Sequence, residues 1–181
     1  MTIETERLRL RQWQDKDYTH FAEMSQDADV MRYFPSTMSS SESTDFADRF
    51  REVIERQGWG IWAVALKQSD QFIGLTGLQH QPDRFEFSPC TEIAWRIARP
   101  FWRQGYASEA ARAAVRYGFE SIGLDQIVAF TVSGNNASIG VMRKLGMSTD
   151  GECFLHPEMP ADHPLAEHVL YRLVREGWTP S

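Results

Sequence analysis

The 181 residues are 42% hydrophobic and 12% aromatic, enough for one ordinary domain to bury a core without disulfide or metal support. Lys and Arg number 19 against 25 Asp and Glu, a formal charge of −6 that argues against nucleic acid as a ligand and suits a cationic one. Cys90 and Cys153 lack metal-ligand spacing, and there is neither a charged-then-apolar leader nor an apolar run of the roughly 18 residues that a membrane span needs, so a cytoplasmic protein with reduced thiols is expected.

Leu8 and Leu10 alternate with Arg9 and Arg11, which makes residues 7–13 a first strand. Asp15 would cap a helix with Tyr18, Phe21 and Ala22 on one side, and a short turn carries Val30, Tyr33 and Phe34 before Pro35. The serine-rich stretch 36–43 contains Ser39 and Glu42 in capping-box spacing. It therefore feeds a helix running to about Arg56, with Phe46, Phe50, Val53 and Ile54 at helical intervals. Residues 59–66 and 72–78 read as a hairpin around the polar turn 67–71, residues 79–89 as a longer connection, and 91–97 as a returning strand.

Residues 99–111, Arg-Pro-Phe-Trp-Arg-Gln-Gly-Tyr-Ala-Ser-Glu-Ala-Ala, join that strand to a helix starting near Ala107. Gly105 with the small Ala107 and Ser108 leaves backbone N–H groups uncovered at the positive end of a helix, an arrangement that grips a pyrophosphate. A plain strand-to-helix loop with small residues kept for packing gives the same pattern. Ala107, Ala110, Ala111, Ala114, Val115, Gly118 and Ile122 then recur on one helical face up to Gly123, and 126–132 is another strand. A second strand-loop-helix follows: a turn at 133–136, then a helix with Ser138, Val141, Met142 and Leu145 on one face, closed by Gly146. Residues 152–155, a proline- and histidine-rich loop, and a final strand at 168–174 complete one mixed α/β domain spanning 1–181.

With these residues in view the chain resembles the GNAT superfamily of acetyl-CoA-dependent N-acyltransferases, and within it the RimJ/RimL type that includes ribosomal-protein N-terminal alanine acetyltransferases. The resemblance is carried by Trp102-Arg103-Gln104-Gly105-Tyr106-Ala107-Ser108-Glu109-Ala110, by Asn135-Asn136-Ala137-Ser138 continuing into Lys144-Leu145-Gly146-Met147, and by Thr5 to Arg11, Phe72-Ile73-Gly74, Glu92-Ile93-Ala94-Trp95 and Val169-Leu170-Tyr171. It implies an α+β fold with a mixed but mostly antiparallel central sheet, flanked by helices in three layers. The two middle strands, here 91–97 and 126–132, would splay around the pantetheine arm. It also implies acetyl-CoA as co-substrate with no metal, backbone contacts from Ile97 and Ala98 to pantetheine, and pyrophosphate on the amides of Arg103, Gln104, Gly105, Tyr106, Ala107 and Ser108. The partners implied are acetyl-CoA and an amine, in a monomer or homodimer. Trp102 stands where many superfamily members have Gln or Arg, as is usual in the RimJ/RimL branch.

In a strand Glu92 shares the less apolar face with Ala94 and Arg96, Arg96 lying roughly 13 Å further along. Glu92 is the candidate general base, with a solvent-facing strand glutamate as the competing reading. A free α-amine, with a pKa of about 7.7–8.0, is on the order of a tenth neutral at pH 7, and a thiol near 8.5 departs easily, so acid and base help need only be modest. Many relatives carry a tyrosine acid at the place of Met142, so Ser138 becomes the candidate acid, with helix capping as its alternative. Asn135 is a candidate for the coenzyme arm or a turn residue. His80 could reach the acceptor; His156, His163 and His168 show no ligand spacing. Tyr33, Phe34, Trp59 and Trp62 are candidates for the acceptor wall or the core. Neither cysteine lies in either block, so direct transfer in a ternary complex is expected, onto a protein N-terminal amine or a small amine such as a polyamine or aminoglycoside. A non-catalytic acyl-CoA sensor is the other alternative.

Overall fold

The structure, a computed structural model, describes residues 2–179. Its strands are β1 (Ile3–Glu4), β2 (Leu8–Arg11), β3 (Ile61–Leu66), β4 (Phe72–Gln81), β5 (Cys90–Ile97), β6 (Gln126–Val132), β7 (Cys153–Leu155) and β8 (Glu167–Val174). The helices are α1 (Asp15–Gln26), α2 (Ser40–Gln57), α3 (Tyr106–Tyr117) and α4 (Asn136–Lys144). The eight strands form one mixed sheet in the order β1-β2-β3-β4-β5-β6-β8-β7, antiparallel at every junction except β5–β6. The expected fold is thus the one observed.

Strand β3, Ile-Trp-Ala-Val-Ala-Leu, has no polar alternation, and residues 61–65 are all buried, as befits a strand covered on both faces. Trp62 meets Tyr117 of α3 edge to face at 5.5 Å. Helices α1 and α2 pack on one another and on β4 and β3 respectively. Their shared core is aromatic: Trp13 lies 5.1 Å from Phe21, 5.9 Å from Phe50 and 5.6 Å from Phe72, and its indole N–H donates to the Ile61 carbonyl at 2.8 Å. The capping box at Ser39 and Glu42 is present. Helix α1 is capped by Gln14 rather than Asp15, because Asp17 is drawn inward. Its carboxylate accepts from the Gln14 N–H and, through both oxygens, from the buried Arg11 guanidinium at 2.6 and 2.9 Å.

Two sequence boundaries move for physical reasons. Gln79, His80 and Gln81 look like loop by composition, yet they extend β4 because Glu92, Thr91 and Cys90 offer them backbone partners. Helix α3 buries Ala110, Ala111, Ala113, Ala114 and Val115, which lets it lie close to the sheet, and ends in a π-helical turn, Gly118–Ile122, before Gly123 at φ +81°.

The junction that matters is β5–β6. These strands run parallel and pair at Glu92↔Val128 alone, while β4 covers all of β5 and β8 covers all of β6. Beyond that point the two middle strands part, opening the sheet toward the ends where α3 and α4 begin.

Candidate active site

The split opens into a cavity of about 970 Å³. Its wall takes residues from the α1–α2 connection, from β5, from the start of α3, from β6 and α4, and from the loop between β7 and β8. Parallel strands with helix N-termini beyond them leave such a cleft at the strands' carboxyl ends.

The loop from β5 to α3 is shaped by backbone conformation. Arg103 takes φ +60° and Gly105 φ +84°, so the chain turns back on itself and α3 starts at Tyr106. Glu109 is the first residue to donate to a backbone carbonyl, that of Gly105, and the N–H groups of residues 103–108 have no partner among the described residues. Unpaired amides at a helix N-terminus, fed by two left-handed residues, make an anion-binding concavity. The N-terminal segment fastens it: Glu109 accepts from the Thr5 hydroxyl at 2.6 Å, the Arg7 N–H at 2.9 Å and Arg7 Nε at 2.7 Å, while Arg7 also donates to the Gln104 carbonyl and stacks on Tyr106.

Of the coenzyme candidates, Ile97, Arg103, Gly105, Tyr106, Ala107, Ser108 and Asn135 line the cavity, and Ala98 and Gln104 do not. The Ala98 N–H is spent on the Ile73 carbonyl and its carbonyl accepts from Phe101. The Gln104 side chain folds back onto the Pro100 carbonyl. The Ile97 carbonyl accepts from the Trp102 indole at 2.6 Å, which explains the tryptophan in that block as a brace between loop and strand.

Glu92 sits at the point where β5 and β6 still touch, lines the cavity and accepts a hydrogen bond from Gln81 Nε2 at 3.0 Å. Loss of water raises its carboxyl from 4.5 to about 7, with Gln81 and the nearby Arg84 opposing the rise. Such a group is poised to take a proton near neutral pH. Gln81 was not singled out by sequence, since a residue read as loop gives no hint of facing a strand glutamate. Ser138 also lines the cavity. Asn135 caps α4 by accepting from the Ser138 N–H at 3.3 Å, and its Nδ2 donates to Ser138 Oγ at 3.1 Å and Thr131 Oγ1 at 2.9 Å. The Ser138 oxygen is thereby held as an acceptor, leaving its own proton to donate. Met142 is buried beneath.

The acceptor-side candidates divide. Tyr33 and Phe34 line the cavity; Trp62 is fully buried in the core, Trp59 packs against the core, and His80 is exposed on β4 away from the cavity. His156 and His168 line it with rings 5.0 Å apart, whereas His163 does not. Both are neutral at pH 7, their pKa values lowered chiefly by burial, His156 to about 4. They belong to an aromatic cluster with Phe85, Phe87, Phe130 and Phe154, gathered from four segments. No local pattern announces a cluster assembled over so many residues.

The model of the family described as "Acetyltransferase (GNAT) domain" matches residues 7–148, and the chain belongs to this acetyltransferase family. Over 178 residues it is 31% identical to the N-acetyltransferase YnaD of Bacillus subtilis (strain 168), covering 98% of this chain and 99% of that protein. It is 33% identical over 144 residues to YkkB of the same organism, 79% and 83% of the two chains. A crystal structure of a GNAT-family acetyltransferase from Bacillus anthracis superposes with a TM-score of 0.81 at 26% identity, covering 97% of this chain and 99% of that one. The chain is an acetyl-CoA-dependent N-acetyltransferase.

Proposed function

We propose that the whole chain acts as one domain of the RimJ/RimL branch that acetylates a primary amine by direct attack within a ternary complex. The observation carrying this reading is the position of Glu92: at the last paired point of the splayed strands, in one cavity with Arg103 and Gly105 to Ser108, whose amides are unpaired among the described residues. These residues fit the coenzyme, because the amides would hold its pyrophosphate while the open edges of β5 and β6, beside Ile97, would flank the pantetheine. When bound, acetyl-CoA supplies an activated acetyl thioester.

The chain's residues then have simple tasks. Glu92 takes a proton from the acceptor ammonium, directly or through one water, so that the nitrogen lone pair is free to form the new C–N bond. Ser138 Oγ, fixed by Asn135, donates a hydrogen bond to the departing sulfur as the C–S bond breaks, and the second proton lost by the nitrogen ends on that sulfur to give the free thiol. The apolar wall of Phe130, His156 and His168 keeps water from competing for the acetyl group.

Incubation of the protein with acetyl-CoA and a panel of N-terminal peptides, polyamines, aminoglycosides and amino acids tests the reading. Free thiol and acetylated amine should appear in equal amounts with some member. Tight coenzyme binding without thiol release from any member would make the protein a sensor of acyl-CoA instead.

A further inference from the structure

Arg96 stands on β5 two residues beyond Ala94 and four beyond Glu92, on the same face of the strand. It lines the cavity, half-buried, yet its Nε and Nη1 are shut off from solvent with no hydrogen-bond partner among the described residues, and its guanidinium lies 4.2 Å from the centre of the Phe34 ring. Burial draws this group down to about 10, with no neighbouring acid opposing. A buried cation without a counter-charge is costly in a folded protein.

The acids around the cavity are already engaged. Asp29 accepts from Arg99 at 3.0 Å, Glu42 from the Ser39 N–H at 2.8 Å, and Glu92 from Gln81 at 3.0 Å, while Glu158 pairs with Arg84 at 2.6 Å. That last pair also neutralises Arg84. Arg32, Arg103 and Lys144 line the cavity as well, but they are exposed. Among the described residues of the wall, the half-buried Arg96 is the cation whose Nε and Nη1 are closed off from solvent with no acid of its own. The α1–α2 connection, with the exposed Phe34, lies over it, so a small shift of that ring would uncover the guanidinium.

We propose that Arg96 binds a carboxylate carried by the acceptor, so that the substrate class is an amine bearing a carboxylate at a distance. This rests on the acetyl-transfer reading. A single guanidinium with no second buried cation beside it matches a planar monoanion rather than a phosphate dianion. The two groups stand four strand residues apart on one face, about 13 Å between their backbone positions at ~3.3 Å per residue, so the amine and the carboxylate belong to opposite ends of the acceptor, as in a dipeptide or an ω-amino acid.

The test uses the full chain saturated with coenzyme A and measures binding of dipeptides and ω-amino acids, each against its own carboxamide, in wild type, Arg96→Gln and Arg96→Lys. The expected result is that the carboxylate member of at least one pair binds tenfold or more tightly than its amide. Arg96→Gln should abolish that preference with coenzyme affinity unchanged, and Arg96→Lys should restore part of it. Equal binding of acid and amide, no binding by any pair, a preference surviving in Arg96→Gln, or tighter binding of an aminoalkyl phosphate overturns the assignment. So does a loss confined to coenzyme affinity, which would give Arg96 to the coenzyme. Thiol release in the same samples with acetyl-CoA judges the transfer reading separately: a bound acid that yields no thiol would sink acetyl transfer while leaving the Arg96 assignment standing.

Discussion

Replacing Glu92 with Gln should make the protein more stable while making it a poorer enzyme, and the size of the gain should depend on pH. In the folded chain the carboxyl titrates near 7 instead of 4.5 because burial penalises its charge. The folded state thus binds a proton more tightly than the unfolded chain, and the wild type loses stability as pH rises from 4.5 through 7. At about 1.4 kcal/mol per pH unit the full difference is roughly 3 kcal/mol above pH 8, and solvent reaching into the cavity trims it to about 2. Gln keeps the shape and the bond from Gln81 but has no charge to bury. Thermal unfolding at pH 8.5 should therefore place the variant about 4–8 °C above wild type, at 2–4 °C per kcal/mol for a chain of this size. The gap should shrink below about 1 kcal/mol at pH 5. In parallel kcat should fall by about a hundredfold, and the wild-type kcat/KM should rise with pH through about 7. A gap of equal size at both pH values, or a variant less stable at pH 8.5, would refute the burial argument.

Other positions give independent checks. A Cβ on Gly74 would lie 2.2 Å from the Arg96 carbonyl oxygen and 2.9 Å from the Ile97 Cα, so Gly74→Ala should force β4 and β5 apart. We expect a loss of about 1–3 kcal/mol in urea unfolding together with a raised KM for acetyl-CoA; an unchanged KM would detach β5 from coenzyme binding. Arg7→Ala should change stability by less than about 1 kcal/mol because its ion pair with Glu109 is partly exposed. It should still raise the KM for acetyl-CoA several-fold with kcat unchanged, since Arg7 secures the Gln104 carbonyl and the Tyr106 ring. Asp17→Ala strips the buried Arg11 of its bidentate partner and leaves it only the acid Asp70 on Nε at 3.1 Å, and should cost about 3 kcal/mol, read as a lower denaturant midpoint with an unaltered m-value.

What the sequence made legible is what short-range chemistry encodes. Gly105 with Ala107 and Ser108 marks a helix entry able to hold an anion, Ser39 with Glu42 marks another helix start, and the buried alanines of α3 mark a closely packed helix. The split sheet itself was expected from the family resemblance carried by residues 102–110 and 135–147, which also supported Glu92 as the base. The rest depended on pairings across the fold. Gln81 became the partner of Glu92 only because β4 outran its apolar stretch to pair with the start of β5. Asn135 looked available to a ligand, but its side chain is taken up in holding Ser138. Ala98 is next in sequence to Ile97 yet does not line the cavity, its amide committed to β4. Trp62 and Phe34 were indistinguishable as aromatic candidates, and burial alone sent one to the core and the other over Arg96. The isolation of Arg96 itself could not be read from residue order, because it follows from where every neighbouring acid found its partner.

The most direct test of acetyl transfer at Glu92 is a matched measurement of coenzyme thiol released and acetylated amine formed by wild type and Glu92→Gln, with the protein's own mass followed in the same reaction. One thiol per acetylated amine, no acetyl group left on the protein, and a large fall in rate for Glu92→Gln with coenzyme affinity intact is the expected result. A protein that accumulates acetyl groups, or a variant that turns over at the wild-type rate, would contradict the account.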